Sequence, residues 1–238
     1  MNAQTLHENR DLIGFWDRFF KLSGEDREAI SNGALESWEE LAPCEKLLSA
    51  VRGLGGCKKV LDFGCGNGWA AIAAAKSGCP SVTAADAAPN AVEAAGFLAR
   101  YLGVDGQVET VCCREGWLSE APSGEYDGLI CCCVLDTVPA ETALEMLSEA
   151  ARIVTDGAEI LIALNAHITP EAAAEKGLEL TDEGKVFADG VLRLVSRTDE
   201  EWETMLSRFF TVVGKEHYAW PGETEEKRRL FRLRKKTV

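Results

Sequence analysis

The sequence lacks any long apolar run. No stretch approaches the roughly 20 apolar residues of a membrane-spanning helix, and the polar residues 1–5 are not followed by the apolar segment of a secretory signal. Proline is also scarce, at 7 of 238 residues, while 46% of the residues are hydrophobic, as in folded rather than disordered chains. We therefore expect a cytoplasmic protein with one large hydrophobic core and no membrane partner.

Basic residues are in short supply. The chain has 25 Lys and Arg residues against 39 Asp and Glu residues, which gives a net charge of −14. Because affinity for a phosphate backbone comes chiefly from Lys and Arg, we expect no nucleic-acid partner. The single basic run, residues 227–236, alternates with Leu230, Phe231 and Leu233, a pattern that predicts a strand with a solvent-exposed basic face.

The nine cysteines suggest neither disulfides nor a metal site. Their number is odd, and five of them are adjacent, at positions 112–113 and 131–133. Successive side chains of a strand point to opposite faces, so Cys131, Cys132 and Cys133 cannot converge on one ion, and the sequence has no Cys-x-x-Cys pair. We predict reduced thiols that pack as small hydrophobic side chains, with no metal ion.

From residue 60 onward, short apolar runs alternate with helical stretches, which is typical of a parallel sheet with crossover helices. The predicted strands are Val60–Phe63, Ser81–Ala85, Gln107–Val111, Asp127–Cys132 and Glu159–Leu164. The predicted helices between these strands are Trp69–Ser77, Asn90–Leu102 and Ala140–Val154.

Other elements are predicted on both sides of this core. Before it, a helix carries an apolar stripe at helical spacing, made of Leu12, Phe15, Trp16, Phe19 and Phe20. After it, the Asp189-Gly190 turn predicts a hairpin over residues 185–195. A capping box at Thr198 then opens a helix, and two further strands are predicted around Phe210–Val213 and Leu230–Arg234.

The most informative segment, residues 60–68, is an apolar strand that runs into Asp62 and then three alternating glycines. Glycines permit the positive φ values of a tight strand-to-helix turn and the close approach of a ligand to the backbone. The dinucleotide pattern Gly-x-Gly-x-x-Gly is not matched, because Trp69 stands where its last glycine would be. A second acidic residue, Asp86, follows the second predicted strand, where a carboxylate can accept hydrogen bonds from ribose hydroxyls.

These segments resemble the class I S-adenosylmethionine-dependent methyltransferase family, whose first motif is Asp/Glu-x-Gly-x-Gly-x-Gly after strand one. Asp62, Gly64, Gly66 and Gly68 match this motif position for position. Residues 126–139 are similar to the family's fourth strand and the loop after it. The resemblance implies an α/β, doubly wound, Rossmann-like, seven-stranded mixed sheet with helices on both faces and an antiparallel C-terminal strand pair.

The resemblance also implies S-adenosylmethionine as the cofactor. In the family, the glycine turn lies against the amino-acid and ribose parts of the cofactor, and the acidic residue before it organises contacts to the amino group. The residues implied to bind the cofactor are Asp62, Gly64, Cys65, Gly66, Asn67, Gly68, Asp86, Ala87, Glu115, Trp117 and Cys132. The family often has an Asp after strand three that bonds adenine, but Arg114 occupies that place here, so Glu115, a backbone group or a stacked Trp117 are the alternatives.

Methyl transfer is an in-line displacement that needs alignment, exclusion of water and, for some acceptors, a base. Asp136 and His167 are the candidate catalytic residues, because they follow strands four and five, with Thr137 as a further candidate and Asn165 as an orienting group. Each is also an ordinary residue for a turn or a helix cap. Five aromatic residues are candidates for either an acceptor pocket or the core, namely Trp16, Trp38, Trp202, Tyr218 and Trp220.

We divide the chain into four segments. Residues 1–56 are a helical cap or lid, 57–165 the cofactor-binding core, 166–197 an inserted hairpin that can act as a second lid, and 198–238 the C-terminal helix and edge strands of the same core domain. The predicted function is transfer of a methyl group to a small-molecule acceptor, because the chain is acidic and has room for a lid. The alternatives are an NAD-dependent oxidoreductase and a noncatalytic S-adenosylmethionine-binding module.

Overall fold

A mixed sheet of seven strands forms the centre of the computed structural model, which describes residues 3–236. Its strands are β1 (Val60–Phe63), β2 (Val82–Asp86), β3 (Val108–Cys112), β4 (Tyr126–Cys132), β5 (Val154–Leu164), β9 (Phe210–Tyr218) and β10 (Arg228–Lys235). They are arranged in the order β3-β2-β1-β4-β5-β10-β9. The first five pair in parallel, whereas β10 is antiparallel to both of its neighbours, so six strands share one direction.

Helices cover both faces of this sheet. They are α1 (Ala3–Phe19), α2 (Gly24–Ala29), α3 (Glu45–Arg52), α4 (Trp69–Lys76), α5 (Pro89–Tyr101), α6 (Trp117–Glu120), α7 (Ala140–Ile153), α8 (Pro170–Glu175) and α9 (Asp199–Leu206). Single helical turns span Ile30–Ala34, Trp38–Leu41 and Gly53–Gly56. Among the helices of residues 3–236, none combines the length and the apolar character needed to cross a membrane.

The side-chain alternation of the strands explains why both faces are covered. On β1, Val60 packs into a core with α3, α4 and α5, while Leu61 packs into a second core with α1, α7 and α9. A strand buried on both faces is continuously apolar, which is why β1 and β4 could be recognised in the sequence. The predicted doubly wound sheet with its antiparallel C-terminal pair is confirmed.

A second, three-stranded sheet lies in the predicted insertion. Its strands are β6 (Glu179–Leu180), β7 (Lys185–Ala188) and β8 (Val191–Val195), in that order. The hairpin prediction is confirmed, with positive φ values of 52° at Asp189 and 74° at Gly190, as its two-residue turn requires. The sheet packs against α1, where the Nζ of Lys185 donates to the Oε1 of Glu8 at 2.7 Å. The four-segment division remains a prediction, and residues 1–2 and 237–238 of its outer segments lie outside the described residues.

The basic C-terminal strand differs from its prediction at one position. Arg232 and Arg234 lie on the outer face and pair with carboxylates, but Arg229 is only 2% exposed, so the prediction of an exposed side chain there is wrong. Its Nη1 donates to the carbonyl oxygen of Arg197 at 3.1 Å and lies 3.5 Å from an Asp199 carboxylate oxygen. The Arg229 guanidinium is therefore buried against polar groups near the start of α9, although the alternating sequence pattern predicts that it is exposed to solvent.

Candidate active site

The candidate site begins at the glycine turn after β1, where the strand order reverses between β1 and β4. The φ values of Gly64, Gly66 and Gly68 are 72°, 53° and 79°, a region that favours glycine. Space is also restricted, because a Cβ atom at Gly64 would clash with Val134 and one at Gly66 would clash with the ring of Phe20. The turn therefore requires glycine both because of its positive φ values and because there is no space for a side chain at Gly64 and Gly66.

Asp86 fixes this turn from the end of β2. Its Oδ2 accepts a hydrogen bond from the backbone N–H of Gly66 at 2.9 Å, and its Oδ1 accepts one from Ala88 at 2.9 Å. Burial raises the pKa of Asp86, while these backbone donors lower it. The carboxylate thus connects the glycine turn to the loop before α5.

Asp62 is the more deeply buried of the two carboxyl groups. It accepts a hydrogen bond from the backbone N–H of Ala71 in α4 at 3.0 Å. Burial is the main cause that raises its pKa to about 7, and the nearby charge of Asp86 raises it further. A cation that reached Asp62 would favour its ionised form, as expected for a residue facing the amino group of a cofactor.

The raised pKa of Asp62 predicts a pH-dependent stability. Because the folded-state pKa of about 7 exceeds the unfolded value of about 4, the folded protein holds the extra proton. The stability from this group is fully present below about pH 4 and is lost as the pH rises through about 7, by up to roughly 4 kcal/mol. Urea unfolding of cofactor-free wild type and Asp62→Asn between pH 4 and pH 8 should show the variant gaining relative stability as the pH rises. A difference that does not change with pH would contradict this.

A cavity of about 960 Å³ extends from the glycine turn. Ten of the eleven residues predicted to bind the cofactor line it, namely Asp62, Gly64, Cys65, Gly66, Asn67, Asp86, Ala87, Glu115, Trp117 and Cys132. The exception is Gly68, which lies against Ala95 of α5 and precedes the first residue of α4. The structure therefore brings the predicted residues together from the ends of β1, β2, β3 and β4.

In the loop after β3, Arg114 stands where the family often has an adenine-binding Asp, and it has a structural partner instead. Its guanidinium turns to α6 and donates to both carboxylate oxygens of Glu120, at 2.7 and 2.6 Å. Glu115 and Trp117 remain at the cavity wall. The Trp117 ring stacks on Phe63 with ring centroids 6.5 Å apart and planes 9° apart, so this indole is already held in one orientation.

The two predicted catalytic residues do not line the cavity. Asp136 is 0% exposed, and it accepts hydrogen bonds from the backbone N–H and the side-chain Nδ2 of Asn165 at 2.5 and 3.3 Å. The Nδ1 of His167 lies 2.9 Å from the Oγ of Ser196. Thr137 does reach the cavity. These contacts are typical of residues that join loops, and the catalytic roles of Asp136 and His167 stay predictions.

Several lining residues come from segments far apart in the chain. Of the five aromatic candidates, Trp16 and Trp220 line the cavity, whereas Trp202 and Tyr218 are fully buried and Trp38 packs against the core. Sequence reasoning did not anticipate that Phe20 would cover the glycine turn or that Arg193 of β8 would reach the cavity. For Arg193 a signal existed, because it is the single charged residue among the five of β8.

Four thiols also line the cavity, those of Cys65, Cys113, Cys132 and Cys133. Burial raises the pKa of Cys113 and Cys133 to about 12, which keeps both thiols protonated near neutral pH. Within residues 3–236, no three His, Cys, Asp or Glu side chains are grouped in a way that could hold a metal ion.

Comparison with known proteins agrees with this geometry. Residues 60–157 match the family model described as a methyltransferase domain. The fold is shared with the N-methyltransferase NodS from Bradyrhizobium japonicum, solved in complex with S-adenosyl-L-homocysteine, at 14% identity and a TM-score of 0.57, over 80% of this chain and 84% of NodS. Residues 60–157 therefore form a methyltransferase domain, and the sheet around them has the class I fold. The predicted family resemblance and cofactor are thereby confirmed.

Other solved structures show how widely this methyltransferase fold is used. An O-methyltransferase family protein from Burkholderia thailandensis is 15% identical, with a TM-score of 0.60, over 88% of this chain and 59% of that one. The 4+2 cyclase SpnF is 19% identical, with a TM-score of 0.57, over 72% of this chain. The present chain spans only 58% of the length of the cyclase. No curated protein sequence matches the present chain.

Proposed function

We propose that this methyltransferase transfers the methyl group of S-adenosylmethionine to a small molecule held in the same cavity, beneath α1 and the three-stranded sheet. The observation that carries the proposal is the size of the cavity, about 960 Å³. Sites for small ligands span roughly 300–1,000 Å³, so this one has room for an acceptor beside the cofactor.

The cofactor side of the cavity is polar and rigid. When bound, S-adenosylmethionine would supply a methyl group on a sulfonium: the acceptor's lone pair would form a bond to the methyl carbon as the C–S bond breaks, and the electron pair of that bond would leave with sulfur as S-adenosyl-L-homocysteine. Asp62 and Asp86 would accept hydrogen bonds from the cofactor's amino group and ribose, and the backbone of Gly64 and Gly66 would allow its close approach. Fixed groups of this kind contribute to transfer chiefly by alignment.

The acceptor side is apolar. Its wall is formed by α1 and α7, with Ile13, Trp16, Phe19, Val138 and Met146 among the lining residues. Trp16 stacks on Phe20 with ring centroids 5.8 Å apart. These rings exclude water from the reacting atoms, which strengthens the electrostatic interactions inside the site.

Polar contacts near both ends hold the covering helix α1. Near its C-terminal end, the Asp17 carboxylate accepts hydrogen bonds from the backbone N–H of Asn90 at 2.7 Å and from its Nδ2 at 3.0 Å. Near its N-terminal end, Glu8 pairs with Lys185 of β7. These contacts join α1 to the core and to the small sheet, so we expect α1 and the small sheet to act together as the lid.

The acidity of the chain supports a small acceptor. With a net charge of −14, a nucleic-acid backbone would be repelled. A cytoplasmic location remains a prediction from the sequence.

The proposal is tested by acceptor screening with methyl-labelled S-adenosylmethionine. Small molecules with hydroxyl, amine, thiol or acidic carbon groups are incubated with the full chain, and label transfer and S-adenosyl-L-homocysteine are both measured. We expect an acceptor-dependent product formed in equal amount with S-adenosyl-L-homocysteine, and much less of both with Asp86→Ala at limiting cofactor. Transfer only to protein or nucleic acid would contradict a small acceptor. Cofactor binding without turnover would favour the noncatalytic module, and binding of NAD instead would favour the oxidoreductase.

A further inference from the structure

Arg193 is a cation without a carboxylate partner in the wall of the cavity. It lies on β8, and its guanidinium carbon is 3.5 Å from the centroid of the Phe15 ring on α1. Within residues 3–236, its side chain forms no hydrogen bond and no ion pair. Partial burial lowers the pKa of Arg193, and the charge of Asp189 in the hairpin turn opposes this effect.

Neighbouring cations are used differently. Lys185, in the next strand of the same small sheet, is paired with Glu8 at 2.7 Å, and Arg114 on the far wall is paired with Glu120 at 2.6 Å. The chain has an excess of carboxylates, so partners are plentiful. A partly buried cation without a partner costs free energy, and a ligand that supplies the missing anion would offset that cost.

We propose that the methyl acceptor carries an anionic oxygen group, a carboxylate or a phosphate, and that Arg193 binds it. The inference rests on the proposed function, because it names the acceptor class of the same site. A guanidinium offers a planar fork of donors that fits two oxygens at once. Phe15 holds one face of that plane by a cation–π contact, which leaves the N–H edge directed at the ligand.

Other charges in the cavity wall are consistent with this assignment. Arg10 of α1 also lines the cavity, but it is exposed, and its Nη2 lies 3.2 Å from the Nδ1 of His7. Two carboxylates of α7 line it as well. Glu149 is neutralised by Arg152 at 2.7 Å, whereas Glu145 is exposed. The partly buried, unpaired charge of the acceptor side is therefore positive.

The experiment uses simple aromatic probes on the full chain saturated with S-adenosyl-L-homocysteine. Benzoate and phenyl phosphate are titrated by calorimetry against benzamide, their neutral counterpart, and benzylamine, a cation. We expect one anion to bind more tightly than benzamide, and which anion it is identifies carboxylate or phosphate. Arg193→Gln should weaken that anion roughly 10-fold or more and leave benzamide unchanged. Arg193→Lys, which keeps the charge but loses the fork, should fall between.

Arg208→Gln is the matched control. Arg208 is exposed, stacks on Phe209 at 5.8 Å and lies outside the cavity, so the same loss of charge should leave anion binding intact. Equal binding of the anions and benzamide to wild type, tighter binding of benzylamine, or no effect of Arg193→Gln would each overturn the inference. Affinity for S-adenosyl-L-homocysteine is measured first. If wild type and Arg193→Gln bind S-adenosyl-L-homocysteine with the same affinity, the probe titrations test only the acceptor class. If wild type does not bind S-adenosyl-L-homocysteine, the proposed function fails as well.

Discussion

Replacement of Asp86 by Ala is expected to weaken the binding of S-adenosyl-L-homocysteine by roughly 100-fold or more. The carboxylate holds the glycine turn through the N–H groups of Gly66 and Ala88, each at 2.9 Å, and it stands where the cofactor's ribose hydroxyls are expected. The variant loses both functions. Hydrogen bonds to charged groups contribute roughly 1.5–3 kcal/mol each, so two of them account for the nearly 3 kcal/mol that corresponds to about 100-fold in Kd.

Calorimetric titration of wild type and variants measures this effect. Asp86→Asn keeps the shape and one acceptor oxygen, so its Kd should lie between those of wild type and Asp86→Ala. Asp105→Ala provides the charge control, because Asp105 is exposed in the turn between α5 and β3 and does not line the cavity. An unchanged Kd in a folded Asp86→Ala protein would mean that Asp86 only ties the turn together.

The sequence predicted the sheet well where strands are buried on both faces. Strand β1 has the predicted bounds, but β5 begins at Val154, five residues before its predicted start at 159. The Asp156-Gly157 pair predicts a turn, and Gly157 does have a φ of 74°. The chain nevertheless continues as a strand. Val154 pairs with Tyr126 of β4, and side chains of β10 supply donors: Lys235 Nζ donates to the carbonyl oxygen of Val154 at 2.7 Å and Arg234 Nη1 to that of Gly157 at 3.0 Å.

Strand β9 shows the same influence of tertiary contacts. It continues five residues past the predicted end at 213, through residues 214–218. This part is polar and lies at the edge of the sheet, so it lacks the apolar alternation by which strands are recognised. Its pairing with β10, register shift included, keeps it extended.

Some residues of the candidate site were predictable from the sequence and others were not. The glycine turn and Asp86 were predictable because each is defined by neighbours along the chain and by the end of a strand. Phe20, Val134 and Arg193 reach the cavity from three separate segments, and no local pattern indicates that these segments meet. Position after strand four suggested that Asp136 faces the ligand, but a single backbone rotation decides whether such a side chain enters the cavity or the core.

Asp136→Ala is expected to lower the free energy of unfolding by about 2–4 kcal/mol. The carboxyl is fully buried and accepts the backbone N–H of Asn165 at 2.5 Å, which ties the loop after β4 to the end of β5. Its charge also favours the charged forms of the buried Arg229 and the partly buried Arg197. Truncation leaves a buried donor unsatisfied and removes compensation from two arginines.

Urea unfolding of Asp136→Ala and Asp136→Asn separates these contributions, because Asn keeps an acceptor oxygen for Asn165 and loses only the charge. Asp127→Ala serves as a comparison at the opposite end of the sheet. The Asp127 carboxylate also joins two segments, because it accepts hydrogen bonds from the backbone N–H groups of Lys58 and Lys59 at 2.8 Å each. A structural role predicts that Asp136→Asn, once folded, turns over at nearly the wild-type rate. Loss of turnover in that variant with unchanged S-adenosyl-L-homocysteine affinity would instead mean that the carboxylate acts on the acceptor, which would require the loop after β4 to turn it towards the cavity during the reaction.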